Sequence, residues 1–198
     1  MMKKIPLLLF VFIQITVNAQ KIEQIELGAD GYFGASSLGG SYGFGPKLGF
    51  QLDENWVVGP SFRYQRSWSS LAGQTFGRSI WGAGAFVHAR FQNVVYLGAE
   101  FEYLKSPTNY VNPTSTDTWV PTLFVGGGFS KEYNHRIRLN VGIYYDLIDN
   151  LNSPFRNSYM MTIKNEVGQV VKFIPVIYRI SFVFPIANFK KEISEDEE

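Results

Sequence analysis

The sequence predicts an all-β fold, an eight-stranded antiparallel up-and-down transmembrane β-barrel. Three observations carry that prediction. Past residue 24 the chain alternates apolar and polar residues almost throughout, in eight segments of about strand length. The connections between the segments alternate between short and long. One face of the alternation holds the bulky apolar side chains, and the other holds the glycines and most of the strand charges.

Composition sets the bounds. At 198 residues the chain is one domain's worth, since domains run to about 100–200 residues. Aromatics make up 16% and charged residues 18%, which argues against disorder. No segment past the N-terminus reaches the roughly 20 apolar residues of a membrane helix. A net charge of +1 gives no basic footprint for nucleic acid. The absence of cysteine excludes disulfides, thiolate metal sites, a cysteine nucleophile and a lipidated N-terminal cysteine.

Residues 1–19 read as a signal peptide. Met1-Met2-Lys3-Lys4 is a short basic start, Ile5 to Val17 is an apolar stretch, and Val17-Asn18-Ala19 fits a cleavage site. Losing Lys3 and Lys4 takes the net charge from +1 to −1. Residues 20–186 are the expected barrel. Its segments are 25–34, 41–52, 56–67, 80–91, 94–104, 119–132, 137–147 and 173–184. Each is close to the roughly 9–11 residues of a tilted membrane strand.

The seventh segment shows the pattern most plainly. Ile137, Leu139, Val141, Ile143 and Tyr145 alternate with Arg138, Asn140, Gly142, Tyr144 and Asp146. A helix cannot keep such alternation, because its faces repeat every 3.6 residues. The short turns are Asp53-Glu54-Asn55, Gln92-Asn93 and Tyr133–Arg136, and 35–40 is also short. The long connections are 66–79, 105–118 and 148–172. Within the last, Tyr159–Lys164 and Gln169–Phe173 read as a hairpin around Asn165-Glu166-Val167-Gly168, with edges open to a partner's strand. Pro46 and Pro60 fall inside strands, where bulges are the expected accommodation. Residues 187–198 are a short acidic tail, expected in the periplasm.

Volume decides which face looks outward. An eight-stranded barrel is only just wide enough for side chains to fill. Glycines such as Gly43, Gly84, Gly98, Gly126 and Gly142 fit inside, whereas a lining of Trp56, Phe62, Trp81, Phe101, Tyr103, Trp119 and Phe129 does not. The apolar face is therefore expected to meet lipid, with Tyr42, Trp81, Trp119 and Tyr145 in one aromatic girdle and Trp56, Phe91, Phe129 and Phe184 in the other. Phe33 belongs to the first of these girdles by the same reasoning.

Strand parity then turns Glu26, Asp30, Lys47, Arg63, His88, Arg90, Glu100, Glu102, Glu132, Arg138, Asp146 and Arg179 into the lumen. Six acids face five firm bases and a histidine, so a self-neutralising polar network is expected rather than a pore of one sign. Asp30, Lys47, Arg63, Glu100 and Arg179 fall near mid-height.

Taken together, the mature chain resembles the small eight-stranded outer-membrane barrels of the OmpX and OmpA-membrane-domain class. The leader ending Ala19-Gln20 is similar to those of Bacteroidota, whose genomes carry many porin-like barrels. Tyr178-Arg179-Ile180-Ser181-Phe182-Val183-Phe184 resembles the aromatic-ended final strand read by the barrel assembly machinery. The resemblance implies a location in the Gram-negative outer membrane, with membrane lipid and lipopolysaccharide as neighbours.

The function expected from this is non-enzymatic: a plugged barrel with surface loops for structural, adhesive or secretion-accessory interaction. The alternatives are a lipid A-modifying enzyme and a small-solute channel. For the enzyme, His88 is followed by Ala89 and Arg90 rather than a serine two residues on, and His135 falls in a short turn. No catalytic residue, cofactor or metal ligand is expected, and the loops name no extracellular partner.

Overall fold

A computed structural model of the protein describes residues 22–36, 39–71, 74–92, 94–106, 118–133, 136–155, 159, 161–168 and 170–189. The expected signal peptide, residues 107–117, His135, the side chain of Phe33 and the chain beyond Phe189 lie outside that description. The strands are β1 (Gln24–Ser36), β2 (Gly39–Gln51), β3 (Trp56–Leu71), β4 (Gln74–Phe91), β5 (Val95–Ser106), β6 (Thr118–Tyr133), β7 (Ile137–Asp146), β8 (Met161–Lys164), β9 (Val170–Ile174) and β10 (Val176–Asn188). β1 to β7 and β10 form a closed antiparallel barrel, in which β1 to β7 pair in chain order, β7 pairs with β10, and β10 returns to pair with β1. β8 and β9 make a separate two-stranded sheet. Closure leaves the barrel strands no open edge along the paired lengths.

Side chains fix the tight connections. At the β2–β3 turn the Asp53 carboxylate accepts from the amides of Asn55 (2.7 Å) and Trp56 (2.8 Å), an Asx turn that reverses the chain. At the tip of β8–β9 the Asn165 carbonyl accepts from the Gly168 amide, and Gly168 takes φ +80°, which glycine adopts without steric cost.

Four expectations need correction. The stretch 66–79 is not a loop: β3 and β4 stay paired from Arg66↔Ser79 out to Leu71↔Gln74. Its serines and glycines gave it a loop-like composition, but continued pairing satisfies the backbone of both strands. The eighth barrel strand is Val176–Asn188 rather than 173–184. The alternation runs unbroken across Pro175 into β9, so periodicity alone did not separate barrel from hairpin. The barrel also extends beyond residue 186, since Gln24 pairs with Asn188.

The fourth concerns the prolines. Pro46 pairs with Ala29 and Pro60 with Ala85, and neither ladder shifts register there. What changes is the β2–β3 seam. Its register is constant, but pairing skips from Phe44↔Tyr64 to Lys47↔Ser61 and then to Phe50↔Val58. Both prolines turn the side that lacks an N–H toward this one seam. Among the described residues the register shifts lie elsewhere, between Ile25 and Glu26 against β10 and between Ile163 and Lys164 in the β8–β9 hairpin.

The faces divide as volume requires. Leu27, Phe44, Phe62, Phe101, Ile143 and Phe182 are among the large apolar side chains exposed around the outside. The inside holds charged residues, glycines and a buried apolar cluster that includes Ile80, Tyr96, Leu104, Phe124, Tyr144 and Ile177.

Candidate functional site

The lumen concentrates the polar chemistry of the described residues. Alternation along β1 to β5 and β10 aims Asp30, Lys47, Arg63, His88, Glu100, Glu102 and Arg179 at one another, and all are buried. Lys47 Nζ lies 2.9 Å from Asp30 Oδ2 and 2.7 Å from Glu100 Oε1. Arg63 binds Glu102 through both Nε and Nη2, at 2.7–3.0 Å, and stands 3.7 Å from Asp30. Arg179 pairs with Glu100 and reaches Glu102 at 3.2 Å and Asp30 at 3.7 Å. Ser181 donates to Asp30 Oδ1 at 2.6 Å, and His88 Nε2 meets Glu100 Oε1 at 2.9 Å.

Three carboxylates thus face two guanidiniums and one ammonium, so the layer has no formal charge of its own. Buried ions are tolerated when paired and hydrogen-bonded in this way. Arg179 also lies over the Phe124 ring at 4.6 Å and the Tyr144 ring at 5.2 Å, and Lys47 over Phe86 at 5.4 Å.

Glycine makes the room. A Cβ on Gly98 would stand 2.7 Å from His88 Cδ2 and 3.0 Å from the Tyr144 hydroxyl. A Cβ on Gly142 would overlap the Tyr96 hydroxyl. The rings of Tyr96 and Tyr144 therefore lie across strand positions that carry no side chain.

The remaining sequence-predicted residues separate from this layer. Glu26 and Arg90 form a two-pronged pair at 2.6 and 2.7 Å. Arg138 pairs with Glu132 and donates to Ser130 at 3.3 Å. These two pairs line a cavity of about 880 Å³ that opens among the short turns, with Gln51, Asn55 and Asn188. Two smaller spaces among the described residues, of about 20 and 30 Å³, each leave room for about one water. His88 lines the smaller of these spaces with Glu26, Arg90 and Ser181, and the hydrogen bond it makes among the described residues is to Glu100.

Asp146 faces inward but takes no part in the mid-barrel layer. Its Oδ1 accepts from the amides of Leu123 (3.2 Å) and Ile148 (3.1 Å), and its Oδ2 from the Tyr159 hydroxyl (3.1 Å). Tyr159 also bonds Ser153 Oγ at 3.2 Å. Burial raises the Tyr159 hydroxyl above its ordinary pKa, and the Asp146 carboxylate adds to this, so the phenol stays protonated and donates. These contacts draw the segment after β7 into the loop-end mouth. There Phe155 is buried edge-on to Phe124 and lies 5.5 Å from the Arg63 guanidinium.

The sequence analysis placed Tyr144 on the inward face but missed this stopper and the lumen rings of Phe86, Tyr96 and Phe124. Phe86, Tyr96, Phe124 and Tyr144 share strand parity with the inward glycines, so the signal was present. Phe155 lies in an irregular stretch where no period could flag it.

Comparisons with known proteins add no family. No protein-family model matches the chain, and no curated protein matches it by sequence.

Proposed function

We propose that the protein is an integral outer-membrane β-barrel of a Gram-negative bacterium, exported by the leader at 1–19, with a closed polar lumen and no enzymatic role. The observation that supports this best is the sorting of side chains around a closed barrel, apolar and aromatic outward, charged and mutually paired inward. In water the outward face would expose an apolar surface of a kind that soluble monomers rarely carry. In a bilayer the inward charges avoid a cost of about 2–4 kcal/mol for each Arg or Lys turned to lipid at mid-depth.

Outer-membrane lipid and lipopolysaccharide are then its neighbours, and the barrel assembly machinery is its partner through the last strand. The leader's likeness to those of Bacteroidota points to that group as the source. The surface segments serve structural, adhesive or secretion-accessory interaction. Glu100 holds His88 through a buried hydrogen bond of 2.9 Å, an arrangement suited to a structural network rather than to transferring an acyl group.

Fractionation tests the proposal. The protein is expected to sediment with outer membranes, to resist carbonate extraction, and to migrate differently on gels before and after boiling. Recovery as a soluble periplasmic protein overturns it.

A further inference from the structure

The β8–β9 hairpin carries more apolar surface than an aqueous arm needs. Met161 and Ile163 are about half exposed, at 53% and 46%. In the hairpin register Met161 pairs with Ile174 and Ile163 with Lys172, so these four side chains share one face. β9 passes into β10 across Pro175 alone. The alternation holds through that joint: Pro175 and Ile177 are buried, whereas Val176 and Tyr178 are not. Ile174 and Lys172 therefore have the parity of Tyr178, Phe182 and Phe184, the outward residues of β10.

Distance agrees. From Phe184 to Ile174 is about 33 Å of strand at about 3.3 Å per residue. At a tilt of about 40° this spans about 25 Å of height, the usual apolar band of an outer-membrane barrel. The pair Ile174↔Met161 thus falls at the upper margin of the band, with Ile163 one step above.

We infer that the β8–β9 hairpin lies against the outer leaflet, with Met161 and Ile174 seated at the upper ends of the lipid acyl chains and Ile163 at the boundary between chains and headgroups. This rests on the membrane reading above. The hairpin is the upper rim of the lipid-facing surface, and Lys172 extends its stem along the chains and its ammonium toward the headgroups. Its tip, Glu166 to Gly168, points past the lipid into water.

The test uses the absence of native cysteine. Ile163→Cys, Glu166→Cys and Phe101→Cys are each made in the full barrel, spin-labelled and reconstituted in dimyristoylphosphatidylcholine vesicles. Collision with oxygen, which concentrates in lipid, is compared with collision with a water-soluble nickel chelate. The oxygen-to-nickel ratio at 163 is expected to lie clearly above that at 166 and below that at 101. A lipid-like ratio at 101 with a water-like one at 163 overturns the hairpin inference and leaves the membrane barrel standing. A water-like ratio at 101 overturns both.

Discussion

Phe155 stands edge-on to Phe124 with ring centroids 5.2 Å apart, although one lies on a barrel strand and the other on the irregular segment after β7. That contact joins a surface segment to the lumen. Ser153 and Tyr159 flank it and bond each other, and Tyr159 reaches Asp146 at the end of β7.

Phe155→Ala removes the ring that anchors this segment. Truncating a buried phenylalanine typically costs about 3–5 kcal/mol. Here the loss falls on local docking, because the closed ladder does not depend on it. Limited proteolysis is expected to cut the variant within 147–160 faster than the wild type, while the gel shift between unheated and boiled samples persists. Unchanged cleavage would show that the ring does not hold the segment.

Arg179→Met leaves Asp30, Glu100 and Glu102 facing only Lys47 and Arg63. Breaking a buried ion pair on one side typically costs about 3–5 kcal/mol. Denaturant unfolding in detergent micelles should show a loss of that order. Adding Glu100→Gln should recover part of it, since formal charge balance returns. A double variant no better than the single would refute charge balance as the source of the loss.

Wild-type protein in a planar bilayer is expected to show little steady conductance. The paired charges of the mid-barrel layer and the Phe155 ring stand across the lumen above the turn-end cavity. Large, stable currents would refute a closed lumen and favour a channel.

His88→Ala separates a structural histidine from a catalytic one. Mass spectra of lipid A from cells expressing wild type, variant or neither should coincide. Stability should fall by about 1–3 kcal/mol as Glu100 loses a buried partner. A change in lipid A that needs the wild-type histidine would establish an enzyme.

Much of this could be read from the chain, because period two is strict. Parity alone turned Asp30, Lys47, Glu100 and Arg179 inward, and their mutual pairing follows once the barrel closes. Strand ends resisted the same logic. Pairing beyond Arg66 and Ser79 depends on backbone hydrogen bonds, which do not require apolar alternation. Phe155 and Tyr159 were out of reach for another reason: their burial is decided by Phe124, Arg63 and Asp146, strand residues that no period links to the segment after β7. Pro46 and Pro60 were noticed but misjudged. A proline in a strand lacks one donor on one side, and only the register shows that both face the same neighbour.

Those two prolines also bear on the journey before folding. On the export route proposed here, the chain crosses an aqueous compartment with its outward apolar residues uncovered. Stretches such as Phe44–Phe50 and Trp56–Tyr64 are the kind that stack into intermolecular sheets. A proline in each interrupts that stacking, because a copy laid alongside would meet a position with no hydrogen to offer. The finished wall is held between them by a single paired position, Lys47↔Ser61. On that proposed route, a slightly looser cylinder would be the counterpart of a chain kept solitary until it reached a bilayer.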